Sequence, residues 1–239
     1  MKSLYRIIMI LTFALNGFSQ NSSPAETHDK MLWVGYYNSI ILDPKWSVNS
    51  DIQFRTKNWI HDFSQALIRS DISYKISDNV SASIGVAHFR FFLDNETTRG
   101  EWRPWQEIKL SNKLGNLNLI QRVRLEQRFI EGITDNQPSG DYNFNVRFRY
   151  RFDLKFPLTK EKEEGKKIYL LLGNEVMINA ADGKTNFDQN RLFLALNYEL
   201  NKKISLQAQY IHIWQNLSSS NTLLNLEVIR FNLYHTISI

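Results

Sequence analysis

The sequence predicts an all-β protein, a single antiparallel transmembrane β-barrel of 10–12 strands with twelve favoured. Three observations carry that expectation. Between Tyr142 and Phe156, Tyr142, Phe144, Val146, Phe148, Tyr150, Phe152, Leu154 and Phe156 alternate with Asn143, Asn145, Arg147, Arg149, Arg151, Asp153 and Lys155. A period of two is that of a β-strand, here with one greasy face and one charged face. The run is far longer than the roughly 5–6 residues of a globular strand, and it exceeds the 9–11 or so that cross a bilayer. Second, the chain opens with the make-up of a secretory signal. Third, 13% of residues are aromatic while mean hydropathy is only −0.37, as expected when every second strand residue meets lipid.

Residues 1–19 read as the signal peptide. Lys2 and Arg6 give a basic start, Ile7 to Leu15 an apolar middle, and Gly17-Phe18-Ser19 a small-residue cleavage site. The apolar stretch is too short for a membrane helix, which needs about twenty residues. Residues 20–30 are polar and read as a flexible leader, and 31–239 as the barrel. There is no cysteine, hence no lipid attachment site, disulfide or thiolate metal site.

Strands are expected at 32–42, 46–55, 63–76, 80–92, 105–110, 117–129, 142–156, 168–179, 190–200, 204–215 and 222–239. Trp46, Val48, Ile52 and Phe54 share one face of the second, with Asn49, Asp51, Gln53 and Arg55 on the other. In the third, Ile68, Ile72, Tyr74 and Ile76 oppose Gln65, Arg69, Asp71 and Lys75. In the sixth, Leu119, Val123, Leu125 and Phe129 point outward and Arg122, Arg124, Glu126 and Arg128 inward. Short turns fall at 43–45, 77–79, 112–116 and 201–203, and longer polar connections at 56–62, 93–102, 130–140, 180–188 and 216–221. That rhythm matches short periplasmic turns and longer outer loops, with 159–167 a larger periplasmic turn. All six tryptophans (33, 46, 59, 102, 105 and 214) lie near expected strand ends, where an aromatic girdle belongs. Eleven candidate strands sit awkwardly with the even numbers of single-chain bacterial barrels, hence the preference for twelve.

The formal charge is +5, and removal of Lys2 and Arg6 with the signal leaves about +3. The arginines lie within alternating strands and form no basic tail or stripe, so a nucleic-acid partner is not expected. Arg122, Arg124, Arg128, Arg147, Arg149 and Arg151 should line neighbouring stretches of inner wall. Like charges opposed in a sheet repel, so carboxylates must be interleaved. Glu126 lies within the cluster, and hairpin counting places Glu175 near Arg149 and Glu107 near Arg122. Such a network would fill and stiffen a narrow lumen, or line an anion-attracting constriction. No cofactor is expected. Neither is a metal: residues 182–188 lack the ligand spacing and terminal Glu of a cation loop. None of His28, His61, His88, His212 and His235 has a serine two residues later, so a lipid hydrolase is the lesser expectation.

The stretch Arg122-Val123-Arg124-Leu125-Glu126-Gln127-Arg128-Phe129 resembles the most recognisable motif of the domain-of-unknown-function 2490 family. Looser matches are Trp46 with the strand ending at Arg55, Arg103-Pro104-Trp105-Gln106-Glu107, and Phe187-Asp188-Gln189-Asn190-Arg191-Leu192. The resemblance spans about residues 31–239. It implies a secreted Gram-negative outer-membrane barrel and brings no assigned activity or catalytic residues. The expected role is therefore structural, or a narrow passive pore for small polar or anionic solutes. Adhesion or assembly through the outer loops is an alternative. Outer-membrane lipids and the barrel-assembly machinery are the expected partners.

Overall fold

The computed structural model describes residues 25–94, 96–135, 137–159, 167–181, 184–217 and 222–239. Residues 1–19, the expected signal peptide, lie outside them. Eleven strands form one closed barrel: β1 (Ala25–Ile41), β2 (Trp46–Lys57), β3 (Asp62–Lys75), β4 (Val80–Leu93), β5 (Glu96–Leu114), β6 (Leu117–Thr134), β7 (Gln137–Pro157), β8 (Lys167–Ala181), β9 (Lys184–Glu199), β10 (Ile204–Leu217) and β11 (Thr222–Ser238). Neighbours in sequence are neighbours in space and pair antiparallel. The closure between β1 and β11 is parallel, from Ala25↔Thr222 to Ile41↔Ser238.

Among the described residues the strand number is eleven, not twelve. An odd count forces the first and last strands to run the same way, so one pair in the barrel departs from the antiparallel rule. The parallel seam is long because β1 begins earlier than expected: Ala25–Lys30, read as part of a leader, belongs to the strand.

Ile41 and Trp46, Lys75 and Val80, Leu114 and Leu117, Pro157 and Lys167, and Glu199 and Ile204 bound strands at one rim, the lower, with Ser238. Lys57 and Asp62, Leu93 and Glu96, Thr134 and Gln137, Ala181 and Lys184, and Leu217 and Thr222 bound strands at the upper rim, with the start of β1. The lower turns form as their side chains dictate. Asp43 Oδ1 accepts from the amides of Lys45 and Trp46 at 2.7 and 2.8 Å, and Asn201 Oδ1 from those of Lys203 and Ile204 at 2.8 and 2.9 Å. Gly115 takes φ +65°, a left-handed value that glycine adopts without strain.

Among the described residues the strands reach further toward the upper rim than expected. The polar stretches expected there continue as strand, so β5 starts at Glu96, β6 runs to Thr134 and β7 starts at Gln137. Backbone ladder bonds form whatever the polarity of the side chains, and these extensions make a polar collar above the apolar belt. Asp94 and Asp135 close the upper hairpins with φ +50° and +49°, a region Asp tolerates better than most residues.

The two faces obey the expected alternation. Ile52, Ile68, Ile84, Ile108, Phe148 and Leu194 point outward and are 40–64% exposed, whereas Glu101, Glu126 and Glu175 point inward and are 0–2% exposed. Register shifts interrupt the upper halves of β2, β4, β6 and β8–β9. Such bulges are common at barrel rims. The tryptophans divide. Trp46, Trp59 and Trp102 are outward and exposed, but Trp33 and Trp105 are 3% and 2% exposed and lie in the lumen, so they belong to no girdle.

Candidate functional site

The inner wall of β5–β8 carries a lattice of ion pairs. The register sets Arg124 opposite Arg149 and Arg122 opposite Arg151, two like-charged pairs that need carboxylates between them. Glu107 faces Arg124 directly and reaches it at 2.6 Å, with Arg122 at 3.5 Å. Glu175 Oε1 accepts from Arg149 Nε and Nη2 at 3.0 and 2.8 Å and also from Arg122 Nη2. Glu126 Oε1 accepts from Arg149 Nη1 at 2.5 Å and lies 3.8 Å from Arg124. Arg128 is held by Glu101, Arg151 by Asp153 at 2.9 Å, and Arg147 by Asp188 at 2.9 Å. The structure thus brings together Glu107, Arg122, Arg124, Glu126, Arg128, Arg147, Arg149, Arg151 and Glu175.

Several members of the lattice escaped the sequence reading. Glu101, within the expected loop 93–102, and Arg103, just past it, are bonded at 2.5 and 2.8 Å on β5. The signal was present: Arg99, Glu101, Arg103, Trp105, Glu107 and Lys109 keep one parity without a break. Asp188 is different. It is the extra residue of the β8–β9 bulge, where Met177 pairs Gln189 but Ile178 pairs Phe187. Both Asp188 and Gln189 are buried, at 7% and 8% exposure, which alternation alone cannot give.

Apolar and cationic groups are interleaved inside the barrel. Arg103 lies 3.7 Å over Phe89, Arg124 4.6 Å over Trp105, and Arg151 4.2 Å over Phe193. Gly85 leaves space for the Trp105 ring, since a Cβ there would stand 2.4 Å from it. Below this layer lies a cavity of about 440 Å³ that extends toward the lower rim past Ser39, Lys109 and Thr236. Ten arginines and Lys109 line it, against the five carboxylates of Asp51, Asp71, Glu107, Asp153 and Glu175. On its upper side Met31, Met177, Ile213 and Val228, each 3% exposed or less, pack the lumen.

A model of the family described as "Protein of unknown function (DUF2490)" matches residues 30–223. The chain belongs to the DUF2490 family. A second protein similar to it is an uncharacterised protein of Methylorubrum extorquens, 23% identical, the alignment covering 95% of this chain and 96% of that one. Among solved structures, the beta domain of the Bordetella autotransporter BrkA matches at 10% identity and a TM-score of 0.42, over 70% of this chain and 76% of that one.

In this DUF2490 barrel the histidines stand apart from the lumen lattice. His88 and His212 are on the outer face, their rings 4.4 and 4.2 Å from those of Trp102 and Trp214. The His235 ring meets the Tyr36 hydroxyl at 3.0 Å. Among the described residues no group of three or more His, Asp or Glu side chains is arranged to hold a metal ion. Of the segment 182–188, Asp182 and Gly183 lie outside the described residues, and Lys184 to Asp188 is strand.

Proposed function

We propose that this protein is an integral barrel of a Gram-negative outer membrane, a structural element whose lumen is braced by ion pairs and packed across its upper half. One observation carries the reading: exposure is inverted. Ile84 is 64% exposed while Glu101 is 0% exposed. Water would reverse that pattern, because burying apolar area is favourable and burying charge is costly. Hydrocarbon outside a polar interior accounts for both at once.

Polar side chains on the outer face support the same solvent. Gln106 and Gln127 bond each other at 3.3 and 3.0 Å, Tyr150 donates to Gln121 at 2.9 Å, and Asn174 to Asn190 at 2.6 Å. Lipid offers polar groups no partner, so they pair among themselves. Two bands of aromatics bracket the belt, with Trp46–Tyr74 below and His88–Trp102 and His212–Trp214 above. In this reading the lower rim faces the periplasm, the assembly machinery inserts the chain, and outer-membrane lipid is its lasting partner.

A narrow anion pore is the second reading, favoured by the basic cavity. Planar-bilayer recording separates the two. The packed lumen predicts no steady conductance, and steady anion-selective current would establish the pore instead. The proposal is non-enzymatic, so incubation with phospholipid or lipid A should release no product. Recovery of the mature protein in the soluble fraction without detergent would refute the membrane assignment itself.

A further inference from the structure

Not every lumen arginine is neutralised. Arg55 on β2, Arg191 on β9 and Arg230 on β11 surround the indole of Trp33, their guanidinium carbons 3.9, 5.7 and 5.9 Å from the ring centre. None of the three has a carboxylate within 4 Å among the described residues. Arg191 faces Glu175 in the ladder, but that carboxylate is taken by Arg149 and Arg122. Arg69, the near neighbour on β3, is matched by Asp51 at 2.9 Å.

Neutral acceptors hold the trio instead. Arg55 donates to Gln65 and Gln53 at 3.0 and 3.3 Å, Arg191 to Gln189 at 3.0 and 2.6 Å, and Arg230 to Asn232 at 3.0 Å and to the Tyr37 hydroxyl. Gln53, Gln189 and Asn232 are themselves 1%, 8% and 3% exposed. Buried amides fix where each guanidinium points without cancelling its charge. Arg55 Nε is left with no partner. All three arginines and Trp33 line the same cavity.

An uncompensated cluster of like charges in a low-dielectric lumen is costly unless a counter-charge enters. For Arg122, Arg124, Arg128, Arg147, Arg149 and Arg151 a Glu or Asp supplies that charge, and among the described residues none does so for this trio. We propose that Arg55, Arg191 and Arg230 form a binding site for a small oxyanion carrying two or more negative charges, of phosphate or carboxylate type. Guanidinium forks match such oxygens with paired hydrogen bonds, and a monovalent ion would leave most of the cluster unmatched. The cavity, at about 440 Å³, exceeds the roughly 30 Å³ share of one water many times over. The site needs only the closed lumen, so it stands or falls apart from the membrane assignment.

Calorimetric titration of the folded, detergent-solubilised protein with pyrophosphate and with citrate, at fixed ionic strength set by sodium chloride, tests this. At least one should bind, and whichever binds tighter gives the class. Arg55→Gln, Arg191→Gln and Arg230→Gln should each weaken it at least tenfold, with folding checked by heat-dependent mobility in electrophoresis. Lys109→Gln removes the same unit charge from the cavity away from the trio and should change affinity less than twofold. No binding by the unmodified protein overturns the proposal. So does a loss in Lys109→Gln as large as in Arg191→Gln, which would reduce the effect to a diffuse field.

Discussion

Glu175 holds two arginines from two strands, and its value lies in what its absence would leave. Glu175→Gln leaves Arg149 with Glu126 alone and Arg122 with only the more distant Glu107, for two guanidinium groups that Glu175 now joins. Breaking a buried pair from one side costs about 3–5 kcal/mol. Urea unfolding in liposomes should show a loss of that order, and an unchanged midpoint would mean the lattice is solvated. Gly85 makes a sharper steric case. Gly85→Ala sets a methyl 2.4 Å from the Trp105 ring and 2.6 Å from Ser70 O, so the indole must leave its place under Arg124. Overpacking of this kind costs about 1–3 kcal/mol. The same unfolding experiment should register it, with a change in tryptophan emission.

If the proposed membrane reading holds, elements answer to depth in the bilayer. On β4, Ala82 pairs with Tyr74 of the lower aromatic band and His88 with Trp102 of the upper, which puts Ile84 and Val86 between them. Ile84→Arg should therefore cost about 2–4 kcal/mol, the depth-dependent charge for the middle of a barrel's lipid face. Tyr142→Arg, outward on the collar of β7, should cost about 0–1 kcal/mol. Equal costs at the two positions would remove the belt from the account. Alternation made every one of these strands legible, because parity is local: Phe148 and Arg149 announce their faces without knowledge of their neighbours. Parity failed at Asp188, where a bulge that only the β8–β9 pairing creates slips the count by one. It falls short at Glu101, where a polar composition predicts loop although the ladder continues.

At the scale of the whole molecule the closure is the test. Val34 and Phe231 are directly opposed across the parallel seam, both on the outer face. Directly opposed Cα atoms in a sheet fall within the 4.4–6.8 Å or so that a disulfide spans. Since the chain has no cysteine, Val34→Cys with Phe231→Cys gives a clean readout. Oxidation should yield one circularised species on a denaturing gel. A twelfth strand would separate the two positions and leave only the reduced form.

What the sequence determined by itself was the solvent each residue wants. An alternating greasy and charged pattern over strands of 12 to 21 residues admits a closed sheet with apolar flesh outside and arginine within. How many strands close the ring, which carboxylate meets which arginine, and that Arg55, Arg191 and Arg230 go without one are set by the folded barrel. Those outcomes depend on register between strands distant in sequence, as Arg55, Arg191 and Arg230 are, and a one-residue slip in any ladder would have paired them differently.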